Sequence, residues 1–145
     1  MGEDSAAAAI EIEASPQVVW QALVDRAAWW PELRFEPVAG SPLRETWSDG
    51  GESFEANGHV VEAAAPERLE YEWREPGWKG PLTVRILLSR SVRGTRVEIT
   101  EEGFTRIGVS GELRHAHERG WRYHLGRLRE ACTPPPVEAR MIVGP

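Results

Sequence analysis

The stretch Gly111–Ala131, GELRHAHERGWRYHLGRLREA, constrains the rest of the chain most. Leu113, Ala116, His117, Gly120, Trp121, His124, Leu125 and Leu128 recur at three- and four-residue steps, so a helix gathers them on one face. Glu112, His115, Glu118, Arg119, Arg122, Arg129 and Glu130 fall mostly on the other. Such a helix is roughly 30 Å long, about the width of a small domain. Ser110 stands where an N-cap belongs. Arg122, Arg127 and Arg129 lie toward the C-terminus, where cations suit the helix dipole. Thr133-Pro134-Pro135-Pro136 stops the helix. No other segment is long enough to compete, so the remaining chain has to cover this rod's apolar face.

What precedes it reads as strands. Ala9–Glu13 alternates apolar and charged residues. Ser15-Pro16 is an N-cap and first turn for a helix carrying Trp20, Leu23 and Val24. Asp25 caps an expected second short helix, Arg26–Trp30, stopped by Pro31. Arg44–Ser48 runs into the turn Asp49-Gly50-Gly51, and Ser53–Ala64 follows, with Phe54, Ala56, Gly58 and Val60 in one phase. Leu69, Tyr71 and Trp73 alternate cleanly with Glu70, Glu72 and Arg74. Leu82, Val84, Ile86 and Leu88 share a phase, as do Val97 and Ile99, while Arg85 falls outside. Hairpin-length connections make the sheet antiparallel. One apolar face per strand leaves the other to water. The expected architecture is α+β, a curved antiparallel sheet of six to seven strands around a long C-terminal helix, with two short helices after the first strand.

At 145 residues the chain is one domain. Residues 1–8 are expected to be frayed, 9–132 to form the domain and 133–145 to be a Pro-rich tail. A net charge of −6 argues against nucleic acid and anionic membranes as partners. Lys79 is the one lysine among 17 basic residues, a bias in keeping with a bacterial source. Cys132 is the single cysteine, so no internal disulfide forms, and a cytoplasmic setting fits. The first residues lack a signal peptide's basic n-region, and no run approaches membrane-spanning length. Seven tryptophans mean that the core is aromatic or that a cavity is lined with them.

The segments ASPQVVWQAL with Trp29-Trp30, PERLEYEW, GTRVEITEEGF and HERGWRYHLGRL, in this order, resemble the bacterial activator-of-heat-shock-chaperone-ATPase-like family of the SRPBCC, or START-like, superfamily. The resemblance runs from about Ile10 to Cys132. It implies a helix-grip fold with a cavity between the sheet and the last helix. It does not fix an activity, because this superfamily holds lipid carriers, receptors, cyclases and many proteins of unstated role.

Metal and nucleophile signatures fail on spacing. His115 and His117 point about 200° apart on a helix. His117 and His124 are two turns apart, roughly 10 Å, and Trp121 replaces the second histidine of a zincin motif. No metal, cofactor or catalytic residue is therefore expected. Cys132 lies at a helix C-terminus, where the dipole raises a thiol's pKa, and reads as structural. Glu101 continues the phase of Val97 and Ile99 and points toward the helix, unless the strand ends first and leaves it in water. The expected ligand-binding set is Trp47, Phe54, Tyr71, Trp73, Glu101, His117, Trp121 and His124: inward aromatics with a few polar groups. Gly120 either notches the wall or admits a close neighbour. Trp29 and Trp30 either lid the cavity or seal the core. The leading expectation is binding of a small lipophilic or amphipathic molecule. The alternatives are a cyclase- or hydrolase-type enzyme in the same cavity, or a co-chaperone-like protein-binding module. A homodimer is left open.

Overall fold

A computed structural model of the chain describes residues 4–109 and 111–133. In chain order the elements are β1 (Ser5–Ile12), α1 (Pro16–Asp25), β2 (Leu33–Arg34), β3 (Pro42–Asp49), β4 (Glu52–Ala64), β5 (Arg68–Arg74), β6 (Leu82–Arg90), β7 (Thr95–Glu102) and α2 (Gly111–Cys132). The seven strands form one sheet in the order β1-β7-β6-β5-β4-β3-β2. Every pairing is antiparallel. Strands β2 to β7 form a meander, and β1 closes the far edge against β7. The chain between β1 and β2 must therefore travel from one edge of the sheet to the other. It does so through α1 and the segment bearing Trp29 and Trp30.

The first helix forms where the sequence marks it. Ser15 Oγ accepts from the Val18 amide at 3.3 Å, and Pro16 occupies the first turn. Val19, Trp20 and Leu23 are buried. The expected second helix is absent: 26–30 make a single turn. Arg26 enters the left-handed region at φ 66 and ends α1. The amides of Trp29 and Trp30 then both reach back to the Arg26 carbonyl. The Arg26 guanidinium pins this turn by donating to the carbonyls of Val24 and Leu33. The first strand also begins earlier than expected, because Ala6 and Ala7 pair with Glu101 and Thr100. Residues 5–8 are thus strand, whereas 1–3, Ser110 and all of the tail beyond Thr133 lie outside the described residues.

The inward face of the sheet carries Val84, Ile86, Leu88, Val97 and Ile99, all buried. Arg85 lies on the outer face with Glu70, at 3.1 Å. The final helix buries Trp121, Leu125 and Leu128, one stripe at four- and three-residue steps. It packs most closely on β1 and on α1. That off-centre seat beside β1 leaves a gap between α2 and strands β3–β5, which the turn residue Trp30 and the loop residue Trp78 help to enclose. No helix among the described residues is long and apolar enough to cross a membrane.

Candidate functional site

Glu101 is fully buried, 0% exposed, so the strand does not end before it. Its neighbours across the sheet are Ala6 on β1 and Val84 on β6. Neither can satisfy a carboxylate, and burying one unpaired costs several kcal/mol. Three donors from elsewhere do. Trp73 Nε1 on β5 donates to Oε2 at 2.8 Å, and Trp121 Nε1 on α2 donates to Oε1 at 2.8 Å. His117 Nδ1, one helical turn before Trp121, also lies 2.8 Å from Oε1. Indole nitrogens only donate, so the arrangement suits the acceptor-only carboxylate. Burial alone would push His117 down. The hydrogen bond and charge of Glu101, with Glu75 and Glu45 behind it, outweigh that and hold the imidazole above its ordinary value. Glu101 thus ties α2 to β7 and, through Trp73, to β5 at the centre of the sheet.

Above this pair lies a cavity of about 180 Å³. Its walls include five tryptophans: Trp30, Trp47, Trp73, Trp78 and Trp121. Polarity comes from Glu45, Glu75, His117 and His124. Ala116 and Gly120 of α2 and Ala56 of β4 supply its small side chains. A Cβ built on Gly120 would meet nothing within 4 Å, so this glycine opens the wall and does not accommodate a close neighbour. Trp30 is the hinge of the aromatic set. It stacks on His124 with centroids 3.9 Å apart, and stands edge-on to Trp121 at 5.3 Å and Trp73 at 5.9 Å. Its Nε1 donates to Glu45 Oε2 at 3.0 Å. Burial lifts Glu45 to about 7; the Trp30 bond opposes this, and Glu32 and Glu75 add to it. Burial, with help from the Arg127 charge, pushes His124 down to about 4.

A profile of the family described as "Activator of Hsp90 ATPase homolog 1-like protein" matches residues 13–133. The chain belongs to this family. Solved structures agree on the fold. CV1439 from Chromobacterium violaceum is 20% identical with a TM-score of 0.75, over 91% of this chain and 99% of that one. DynU16, from the dynemicin biosynthetic locus, is 22% identical at a TM-score of 0.74, over 88% of this chain and 46% of its own. The Aha1 dimer from Colwellia psychrerythraea is 18% identical at a TM-score of 0.69, over 88% and 95%. No curated protein matches the chain in sequence.

In this family member, Trp47, Trp73, His117, Trp121 and His124 of the sequence-derived set reach the cavity wall, with Glu101 beneath them. Tyr71 does not line it. The ring lies in the core against Trp73 at 5.4 Å, and its buried Oη has no hydrogen-bond partner among the described residues. Burial and the charges of Glu101 and Glu45 hold its phenol well above the ordinary value. Phe54 was expected inward and is 37% exposed. It has the right phase but sits near the start of β4, beyond the cover of α2, stacked on Trp47 at 5.8 Å. Of the tryptophan pair, Trp30 faces the cavity, and Trp29 seals the core with Nε1 on the Leu23 carbonyl at 3.0 Å.

Three wall residues escape the sequence reading, Glu45, Glu75 and Trp78, and Trp30 takes the first of the two roles open to the Trp29–Trp30 pair. Glu45 is two residues before Trp47 and Glu75 two after Trp73, so the strand period carried both. Nothing periodic places Trp30 or Trp78, which come from turns. Among the described residues, no group of three or more His, Cys, Asp or Glu is placed to hold a metal ion.

Proposed function

We propose that this domain binds a small apolar or amphipathic molecule in the cavity between the sheet and α2. Gly120 carries the reading. A glycine in a helix interior costs about 1 kcal/mol against alanine. Here the free space beside it is cavity and not a neighbour's backbone or side chain. Tryptophan walls with a few polar groups have the composition of a small-molecule site. The volume sets the guest's size. Drug-sized pockets start at roughly 300 Å³, whereas an apolar cavity of about 150 Å³ holds benzene. At about 180 Å³, this cavity suits a guest of one ring or one head group. Titrating phenol or indole-sized neutral aromatics while following tryptophan fluorescence tests the idea. Saturable quenching that Gly120→Leu abolishes supports it; identical responses from the two proteins oppose it.

The Glu101–His117 pair supports a second reading, an enzyme of the cyclase or hydrolase kind. A carboxylate that fixes one imidazole nitrogen leaves His117 poised as an acid or base at the wall. The two readings part on Glu101→Gln: a carrier still binds its guest, and an enzyme still binds but loses turnover. Chaperone-ATPase activation, the role in the family's description, is tested by adding the chain to such an ATPase, and self-association by light scattering.

A further inference from the structure

The charges lining the cavity do not cancel. Glu101 is matched by His117 at 2.8 Å. Glu45 and Glu75 have no such partner: among the described residues neither joins an ion pair with Lys or Arg, no Lys or Arg lines the cavity, and the one cation that both feel is His117, already bonded to Glu101. Among the described residues, the only side-chain hydrogen bond on Glu45 comes from the neutral Trp30 indole. Burial works against the charge on both, and a second carboxylate adds to it, Glu75 at Glu45 and Glu101 at Glu75. Other acidic residues on the outer face have arginine partners, such as Glu55 with Arg44 and Glu70 with Arg85.

A neutral guest filling this space would strip water from Glu75 and leave Glu45, held at about 7, to stay protonated, returning nothing to either group, and an anion would be repelled. A hard metal ion would need six or more oxygen ligands, which indole walls do not supply. A cation carrying its charge on alkyl groups meets both demands. It is weakly hydrated, it neutralises the carboxylates, and indoles attract it through their quadrupoles.

We propose that the guest is a small organic cation, a tertiary or quaternary ammonium, boxed by Trp30, Trp47, Trp73, Trp78 and Trp121 and neutralised by Glu45 and Glu75. This rests on the binding reading above and names the ligand class for the same cavity.

The test compares tetramethylammonium with tert-butanol, a neutral molecule of nearly the same shape, by calorimetric or fluorescence titration. The wild-type domain should hold the cation at least tenfold more tightly. The double variant Glu45→Gln/Glu75→Gln should lose that preference. Glutamine at 45 keeps an acceptor oxygen for the Trp30 indole, a urea titration shows whether the double variant is folded, and single Glu75→Gln, which leaves the Trp30 bond untouched, should show an intermediate loss. Equal binding of the two probes by wild type overturns the proposal, and so does a preference that survives in the double variant. If neutral aromatics bind and the cation does not, the cation proposal fails while the cavity reading stands. If no probe of either kind binds, both fall.

Discussion

Replacing Glu101 by glutamine keeps the side chain's shape and removes one acceptor oxygen. The best the amide can do is leave its oxygen with Trp121 and His117 and turn its NH2 toward Trp73 Nε1, where donor meets donor. A hydrogen bond to a charged group contributes about 1.5–3 kcal/mol, and a buried donor left unmade costs about 1–3 kcal/mol. Losing the buried charge recovers part of its desolvation. The net expectation is a loss of about 2–4 kcal/mol. For a domain of this size, that lowers Tm by very roughly 5–15 °C. Glu102→Gln, next door but 49% exposed and 3.6 Å from Arg85, is the control and should cost less than about 1 kcal/mol. Urea titration of both variants measures the difference. The His117 imidazole, deprived of Glu101, should also titrate at lower pH by NMR. If Glu101→Gln is no worse than Glu102→Gln and His117 does not move, the buried tie between helix and sheet is not what the distances imply.

Other outcomes follow from the same geometry. Glu45, held at about 7 when folded, binds a proton that the unfolded chain has released above pH 4.5, so it makes stability fall as pH rises through 4.5–7. His124, held at about 4, lacks a proton that the unfolded chain binds below 6.5, so it makes stability rise with pH between 4 and 6.5. These slopes, each about 1.4 kcal/mol per pH unit at most, oppose one another. Glu45→Gln should therefore give a profile that climbs more steeply from pH 4.5 to 6.5 than that of wild type, as urea titrations at stepped pH will show. His117, held above its ordinary value, makes stability fall once pH rises past 6.5, and that limb should shrink in Glu101→Gln. Gly120→Ala should stabilise the domain by up to about 1 kcal/mol, since its methyl meets open space. Gly58→Ala should destabilise it severely, because the new Cβ would overlap the Glu72 carbonyl across the β4–β5 pair; thermal melts separate the two glycines.

The parts of this molecule governed by a period could be read from the chain. The three- and four-residue recurrence from Leu113 to Leu128 gave α2 to within a residue at its C-terminal end. The alternation through Val97 and Ile99 placed Glu101 inward, and only the strand's end was open. Where the period was present but unused, as at Glu45 and Glu75, the missing step was to extend the phase of Trp47 and Trp73 to charged neighbours. Phe54 shows the converse: phase alone says which way a side chain points, not whether anything covers it. Turn residues have no period. Trp30 reaches the cavity because Arg26 adopts a left-handed conformation and reverses the chain, an event that a run of helix-compatible residues conceals. The two-residue β2 is too short for any alternation to register.

The indole N–H signals offer the most direct measurement. Five of the seven tryptophans wall the cavity, and Trp20 and Trp29 do not. In a two-dimensional nitrogen–proton spectrum titrated with a small guest, Trp30, Trp47, Trp73, Trp78 and Trp121 should shift and saturate together while Trp20 stays in place. Seven unmoved signals at saturating guest, or a shift shared equally by Trp20, would contradict a binding cavity between the sheet and α2.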